Sequence, residues 1–230
     1  VFTSGGTEAN NLALCGAVKA LRRRGDHVVT TAVEHPSVLD VCKALEDDGV
    51  RVTYVPVESD GTLDVERVVD AVGDQTILVS VMQVQNETGA VFPVEAIARR
   101  AKAKRNPLLV HCDGVQGLGK LPVPSDAVDL YSISAHKVHG PKGAGALRLG
   151  SKTHIKAVLR GGGQERGLRS GTEALPSLVG LGRAAELAAE GRVAFKAQAA
   201  ALSAQLRAGI TAQGGVINSP AGAVSSTVNA

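Results

Sequence analysis

Aromatic side chains are scarce in this 230-residue chain, which has three Phe, two Tyr and no Trp. Proteins stack bases on aromatic rings, so this scarcity argues against a nucleic-acid-binding surface. The net charge of +3 is also too small to favour nucleic acid or an acidic membrane as a partner. No apolar run reaches the roughly 18–20 residues of a membrane helix, and no signal peptide is recognisable.

Cysteine is also rare. Cys15, Cys42 and Cys112 show no Cys-X-X-Cys spacing, and their odd number argues against a disulfide framework. Free thiols are typical of a reducing compartment, so we expect a cytoplasmic protein. Free cysteine is usually a small buried apolar residue, and we expect that role for all three.

The two ends of the sequence suggest an internal fragment of a longer protein. The chain has no initiator Met, and Val1–Ser4 already reads as a strand entering a turn. Residues 224–230 read as a strand cut short. We therefore expect a large domain over residues 1–175, incomplete at its N-terminus. Residues 176–230 would form a long Ala-rich helical segment, continuous or broken, that leads into a truncated small C-terminal domain.

Strand and helix patterns alternate along the first 150 residues. This alternation predicts an α/β fold with a mostly parallel central sheet and helices on both faces. Ligands of such sheets bind beyond the carboxyl ends of the strands. The predicted strands cover residues 27–32, 51–57, 77–82, 108–112, 130–134 and 145–149, and the predicted helices cover residues 7–24, 37–48, 65–72 and 94–104.

The segment Thr3-Ser4-Gly5-Gly6-Thr7-Glu8-Ala9-Asn10 places two glycines before a predicted helix. Free N–H groups at a helix N-terminus attract anions, and Thr7 adds a hydroxyl, so Gly6 and Thr7 are candidates for a phosphate cradle. An ordinary turn with a hydroxyl cap explains the same residues. The Gly-Lys-Ser/Thr ending of a Walker A loop is absent.

His111-Cys112-Asp113-Gly114-Val115-Gln116 follows an apolar strand, which puts Asp113 at the end of the sheet. A carboxylate there is able to pair with a protonated ring nitrogen, as pyridoxal 5′-phosphate (PLP) requires. An Asp that merely caps the next turn is the alternative.

Lys137 follows another predicted strand, within Ser134-Ala135-His136-Lys137-Val138-His139-Gly140-Pro141-Lys142-Gly143. A lysine in a dry or cationic site has a lowered pKa and forms Schiff bases. Ser134 and His136 are candidate phosphate donors. Lys142 has a similar context, so the residues alone leave the choice between Lys137 and Lys142 open.

Three further segments carry candidate polar residues. Residues 161–172 contain five glycines and two arginines, which indicates a phosphate or subunit-contact loop or a flexible lid. His35 ends a predicted strand, where its ring is placed to stack on a planar cofactor. Gln85 and Asn86 end another strand, with amides suited to carboxylate or phenolate oxygens.

Together these segments resemble the cysteine desulfurases, in the class V aminotransferase-like branch of fold-type I PLP enzymes. The resemblance runs from Phe2 to about Thr172, through FTSGGTEANN, EHPSV, QNETG, HCDGVQ, SAHKVHGPKG and GGGQERGLRSGT in that order. The combination is specific, although each motif alone is not. It implies the large domain of a PLP-dependent transferase.

The resemblance implies roles around the cofactor ring. Lys137 would carry PLP as a Schiff base, which selects it over Lys142. Asp113 would pair with the pyridine nitrogen, and Gln116 would donate to the phenolate oxygen. His35 would stack on the ring and take part in proton transfer. Asn86 would contact the substrate or a cofactor oxygen.

The resemblance also implies a phosphate site completed by a second subunit. Thr7, Ser134 and His136 would hold the phosphate next to Gly6. Thr172 would reach the phosphate bound by the neighbouring subunit of a homodimer.

The implied reaction converts L-cysteine to L-alanine and leaves a persulfide sulfur for iron–sulfur clusters or thio-cofactors. Its partner would be a sulfur-acceptor or iron–sulfur scaffold protein, with nucleic acid reached only through tRNA-thiolation partners. In the family, the catalytic Cys and the substrate-carboxylate Arg lie beyond Ala230, so we expect this chain to be inactive alone. A selenocysteine lyase, another class V PLP enzyme, and an inactive dimerisation scaffold are the alternatives. His139 and Gly114 depart mildly from the family, which often has an aromatic residue and Ala there.

Overall fold

A computed structural model describes all 230 residues. Seven strands and five α-helices alternate through most of the chain. The strands are β1 (Phe2–Thr3), β2 (His27–Thr31), β3 (Arg51–Val55), β4 (Thr76–Ser80), β5 (Leu109–Asp113), β6 (Leu130–Ser134) and β7 (Gly145–Leu149). The helices are α1 (Gly6–Leu21), α2 (Pro36–Asp47), α3 (Val65–Asp70), α4 (Val94–Lys104) and α5 (Leu175–Ala212).

All seven strands form one sheet in the order β1-β7-β6-β5-β4-β2-β3. The five strands from β6 to β3, the last of which forms one edge of the sheet, run parallel to one another, and β7 runs antiparallel to β6 and β1. The predicted α/β class with a mostly parallel sheet is confirmed. Because the parallel strands end at the same edge, the loops that follow β2, β4, β5 and β6 lie close together.

Two apolar cores cover the two faces of the sheet. One contains Val28, Leu78 and Leu130 of the strands, packed with residues of α1 and α2. The other contains the alternate strand residues, including Val79 and Val110, packed with α4 and part of α3. Side chains of a strand alternate between faces, so strands buried on both sides read as continuous apolar runs.

Helix α5 is a single 38-residue helix, which resolves the choice between one helix and a broken pair. Only Leu181 and Ala184 of this helix are buried, and apolar side chains such as Leu187 and Val193 are exposed. No helix of the chain combines the length and the apolar character needed to cross a membrane. The helix begins one residue before the predicted domain boundary, and the division into two domains stays a prediction.

The predicted strand over residues 224–230 is wrong. A turn joins Val224 to Thr227, whose N–H donates to the Val224 carbonyl over 3.1 Å. The Val224 N–H donates to the Gly89 carbonyl over 2.8 Å, and Asn229 folds back onto Asn218. The segment is thus held by turns and isolated bonds, without a neighbouring strand that would form a ladder with it.

Gly114 lies against the ring of Tyr131. A Cβ on Gly114 would overlap the Tyr131 ring, which is 1% exposed and donates through its hydroxyl to Gln83 over 2.8 Å. Because Gly114 has no Cβ, the Tyr131 ring has room to pack against its backbone. The small residue at position 114 and the large one at position 131 thus fit each other.

We expect Gly114→Ala to lower the free energy of unfolding by about 1–3 kcal/mol, the usual cost of overpacking a core. The double variant Gly114→Ala/Tyr131→Leu should regain part of this loss, since the shorter side chain frees the space. Urea denaturation measures both effects. Gly73→Ala is the matched control, because a Cβ there meets no atom within 4 Å. A Gly114→Ala variant as stable as the unmodified chain would contradict the packing argument.

Candidate functional site

A cavity of about 380 Å³ lies at the carboxyl edge of the parallel strands. Its walls come from the start of α1 and the loops after β2, β4, β5 and β6. Nine of the ten predicted site residues line it, and only Thr172 does not. The thirteen lining residues are Gly6, Thr7, Asn10, His35, Ser37, Met82, Asn86, Asp113, Val115, Gln116, Ser134, His136 and Lys137.

Asp113 is the buried acid of this cavity, and its carboxylate is held by hydrogen bonds from the protein. It is 4% exposed, and its carboxylate accepts from the Val115 N–H at 2.9 Å and from Asn10 Nδ2 at 2.7 Å. Burial raises the pKa of Asp113, against the lowering effect of these two bonds. Both donors are neutral, so the protein supplies no direct cationic partner for this carboxylate.

Asn10 and Ser37 belong to the site, although the sequence did not single them out. Asn10 Nδ2 donates to Ser37 Oγ at 2.8 Å as well as to Asp113. Asn10 Oδ1 is buried and has no hydrogen-bond partner. Asn10 lies on the buried face of α1, 103 residues before Asp113, and spacing along the chain gives no signal for such a pair.

His35 caps the N-terminus of α2 and lines the cavity. Its Nδ1 accepts from the Ser37 N–H at 3.1 Å and lies 2.8 Å from Ser37 Oγ. Since Nδ1 is an acceptor, a neutral His35 ring carries its proton on Nε2. The ring is thereby oriented by the helix cap and linked through Ser37 to Asn10 and Asp113.

The opposite end of the cavity contains donors suited to an anion. Helix α1 begins at Gly6, where a Cβ would lie 2.6 Å from Val115 Cγ2, so the close packing requires glycine. Ser134 Oγ lies 2.9 Å from His136 Nδ1. Burial, followed by the charges of Lys137 and Lys142, lowers the pKa of His136. The hydroxyls of Thr7 and Ser134, the imidazole of His136 and the N-terminus of α1 therefore lie together at this end of the cavity.

Lys137 and Lys142 have different surroundings. Strand β6 ends at Ser134, and a 3₁₀ turn over Ala135–Val138 carries Lys137 into the wall of the cavity. Both lysines are exposed, but Lys142 does not line this cavity. The two lysines, equivalent in sequence context, are therefore separated by the turn that follows the strand.

Thr172 lies in a second, smaller cavity beside Phe2–Ser4 and is exposed. The loop that carries it is tied to the start of α1 by a two-point ion pair. Arg169 Nε donates to Glu8 Oε1 at 2.7 Å, and Arg169 Nη2 donates to Glu8 Oε2 at 3.2 Å. The predicted role of Thr172 toward a neighbouring subunit stays a prediction.

Gln85 and Asn86 have separate roles in the loop after β4. Gln85 Oε1 accepts from the N–H groups of Glu87 and Thr88, each at 2.7 Å, and so holds the turn together. Asn86 alone of the two lines the cavity. The amide available to a ligand is therefore that of Asn86.

None of the three cysteines lines the cavity. Cys42 and Cys112 are buried, as expected, whereas Cys15 is partly exposed. Burial raises the pKa of each thiol, that of Cys42 to about 12. Since the thiolate is the nucleophile, these residues are poorly suited to covalent catalysis.

Glu34 joins two of the loops that form the cavity. Its Oε1 accepts from the Met82 N–H at 2.9 Å and from Thr31 Oγ1 at 2.8 Å, while its buried Oε2 has no partner. Burial raises the pKa of Glu34 to about 8, and the nearby charge of Asp113 adds to this effect. In the sequence, Glu34 stood out only as part of the His35 motif.

We expect Glu34 to make stability fall as the pH rises from about 4.5 to about 8. The folded chain binds the Glu34 proton more tightly than the unfolded chain does. Protonated Glu34 therefore contributes its full stabilisation below about pH 4.5, and this contribution is lost as the pH rises to about 8. Glu34→Gln should remove this dependence, a difference on the order of 4 kcal/mol between the two ends of the interval. Urea denaturation at pH 5 and pH 8 measures it, with exposed Glu190→Gln as the control. A Glu34→Gln effect independent of pH would contradict the prediction.

Comparisons with known proteins agree with this geometry. The aminotransferase class-V family model matches residues 1–230. A protein named cysteine desulfurase IscS from Anaeromyxobacter sp. (strain Fw109-5) is 48% identical over 216 residues, which are 92% of this chain and 53% of the relative. The chain spans about half the length of the curated relatives it matches.

Two solved structures are similar in fold. A "NifS-like protein" superposes with a TM-score of 0.93 at 40% identity, over 96% of this chain and 61% of its own. A structure titled "SspA in complex with cysteine" superposes with a TM-score of 0.75 at 40% identity, over 81% of this chain and 54% of its own. With the whole-length family match, these likenesses show that the chain belongs to the aminotransferase class-V family.

Proposed function

We propose that this chain is the PLP-binding core of a cysteine desulfurase. The observation that carries the proposal is the buried Asp113 carboxylate, which has only neutral protein partners and faces a cavity lined by Lys137. The protonated pyridine nitrogen of PLP would supply a positive charge next to this carboxylate. Relatives named cysteine desulfurase support the activity, and the SspA structure with cysteine supports an L-cysteine substrate.

The residues present fit PLP at both ends of the cavity. Asp113 would accept from the ring nitrogen, and Asn10 and Val115 would hold the carboxylate in place. At the other end, Gly6, Thr7, Ser134 and His136 would bind the phosphate. Gly6 and Thr7 line the cavity at the start of α1, where a helix leaves its first backbone N–H groups free to bind an anion.

When bound, PLP supplies an electron sink for carbanion chemistry. Lys137 would anchor it covalently through its amine. His35 would cover the ring face and move a proton at Nε2, since Nδ1 is engaged by Ser37. Gln116 would donate to the ring oxygen, and Asn86 would orient the substrate. Thr172 would complete the phosphate site of a second subunit in a cytoplasmic homodimer.

Sulfur transfer would require a nucleophilic cysteine outside these 230 residues. Cys15, Cys42 and Cys112 lie away from the cavity and have raised pKa values. The complete protein would pass persulfide sulfur to an acceptor or scaffold protein for iron–sulfur clusters or thio-cofactors. The chain alone would bind cofactor and substrate without releasing sulfur.

Titration of the chain with PLP, followed by L-cysteine, tests the proposal. We expect a visible Schiff-base band that saturates at one PLP per chain, and a spectral change with L-cysteine but not with D-cysteine. Neither sulfide nor alanine should form under reducing conditions. A folded chain that binds no PLP would contradict the function, whereas sulfide release would contradict the external nucleophile.

A further inference from the structure

Lys120 lies directly behind Gln116, on the side away from the cavity. Lys120 Nζ donates to Gln116 Oε1 over 2.7 Å. Gln116 lines the cavity, whereas Lys120 lines the adjoining apolar cavity on the other side of the loop. Both side chains are partly buried. The contact is therefore a support behind a cavity residue.

The backbone sets up this contact. After Asp113 the chain makes two helix-like turns, in which the Leu118 N–H donates to the Gly114 carbonyl and the Leu121 N–H donates to the Gly117 carbonyl, each over 2.9 Å. Residues four apart lie on the same side of such turns, which brings Lys120 next to Gln116. A Cβ on Gly117 would overlap Gln83, so the tight course of the loop is fixed by packing.

Chemistry determines which end of the Gln116 amide faces Lys120. An ammonium group only donates hydrogen bonds, so it must be met by the amide oxygen. The Gln116 NH₂ group forms no hydrogen bond with the protein, and since Gln116 lines the cavity, this group is available to a ligand there. Without Lys120, the amide is free to present either its oxygen or its nitrogen to the cavity.

We propose that Lys120 is a positioning residue that locks the Gln116 amide with its NH₂ group toward the cavity. This inference rests on the proposed function, because the group it would orient Gln116 toward is the ring oxygen of PLP. The anionic ring oxygen would accept a hydrogen bond from the Gln116 NH₂ group, whereas the Gln116 amide oxygen would repel it. Lys120 thus selects the donating orientation and polarises the amide toward stronger donation.

The position of Lys120 carries an electrostatic cost that fits this role. Burial, with a further contribution from the charge of Lys137, lowers the pKa of Lys120. The two lysines line the same apolar cavity, together with Val138 and Leu187. The hydrogen bond to Gln116 offsets the cost of holding the Lys120 ammonium group near that of Lys137.

The test is the spectroscopic pKa of the PLP chromophore bound to the 230-residue chain. Donation to the ring oxygen and a nearby positive charge both disfavour the protonated Schiff base. We therefore expect Lys120→Met to raise this pKa by about one unit, a tenfold change in proton affinity. Lys120→Arg should shift it less, since a donor to Gln116 Oε1 is retained.

A double-mutant cycle with Gln116→Leu separates positioning from a direct charge effect. If Lys120 acts through Gln116, the Lys120→Met shift should largely vanish in the Gln116→Leu background. Lys152→Met is the matched control. Lys152 is exposed and follows β7, whose last residue pairs with the first residue of β6, so it lies at the end of the strands opposite the cavity.

Two outcomes would overturn the inference: an unchanged pKa in Lys120→Met, or additive shifts in the cycle. Failure of the unmodified chain to bind PLP would instead overturn the proposed function. Circular dichroism and urea denaturation of each variant establish that it is folded. A Lys120→Met chain that does not fold is replaced by Lys120→Gln, whose amide also donates to Oε1 but carries no charge and should shift the pKa less.

Discussion

Replacement of Lys137 by alanine should abolish the visible Schiff-base band of the PLP-loaded chain. Only a primary amine forms the Schiff base, and Lys137 is the lysine that lines the polar cavity. Lys137→Arg should have the same spectroscopic effect, since the guanidinium keeps the charge but does not form this linkage. Absorption spectra of the three proteins at equal PLP concentration provide the measurement.

Lys142→Ala is the matched control for this experiment. Lys142 follows five residues later in the same segment, is exposed, and does not line the cavity. We expect its visible band to equal that of the unmodified chain. A band that persists in Lys137→Ala and disappears in Lys142→Ala would reverse the assignment of the two lysines.

Replacement of Asp113 by asparagine should weaken PLP binding and stabilise the cofactor-free chain. A hydrogen bond to a charged group contributes about 1.5–3 kcal/mol, so we expect affinity to fall roughly 10- to 150-fold. Burial raises the pKa of Asp113, which shows that the ionised carboxyl is disfavoured when the cavity holds no cation. Its removal should add on the order of 1 kcal/mol to the free energy of unfolding, as at other sites where function opposes stability.

The Asn10 amide makes this substitution structurally tolerable. Its Oδ1 is buried without a partner, so a turned amide would accept a hydrogen bond from the NH₂ group that Asp113→Asn introduces. Asp126→Asn is the control, because the Asp126 side chain is 99% exposed. PLP titration and urea denaturation measure the two effects. Unchanged PLP affinity in Asp113→Asn would remove the observation on which the proposed function rests.

The sequence predicted the central strands and the cavity edge because both depend on local patterns. Apolar runs such as Ile77–Val79 mark strands buried on two faces, and the polar residues that follow them mark the ends of those strands. Asp113, Ser134 and His35 therefore appeared at the correct edge. The resemblance then selected Lys137, and the structure separates it from Lys142 by the turn that follows β6.

Contacts between residues that are far apart in the sequence leave no local pattern from which they could be predicted. Asn10 meets Asp113 across 103 residues, and the fit of Gly114 under Tyr131 depends on the register of β5 and β6. Residues 224–230 were wrongly predicted as a strand, because the backbone bond from Val224 to Gly89 leaves no local pattern in the sequence. Side-chain pairing, core volume and tail docking are decided by tertiary packing, which a single sequence does not display.

The most direct measurement is the position of the covalent link to PLP. The loaded chain is reduced with borohydride, digested, and mapped by mass spectrometry. We expect the phosphopyridoxyl group on Lys137, with none on Lys120 or Lys142. Attachment at either of those lysines, or no attachment in a folded and PLP-saturated chain, would contradict the assignment of this cavity as a PLP site anchored by Lys137.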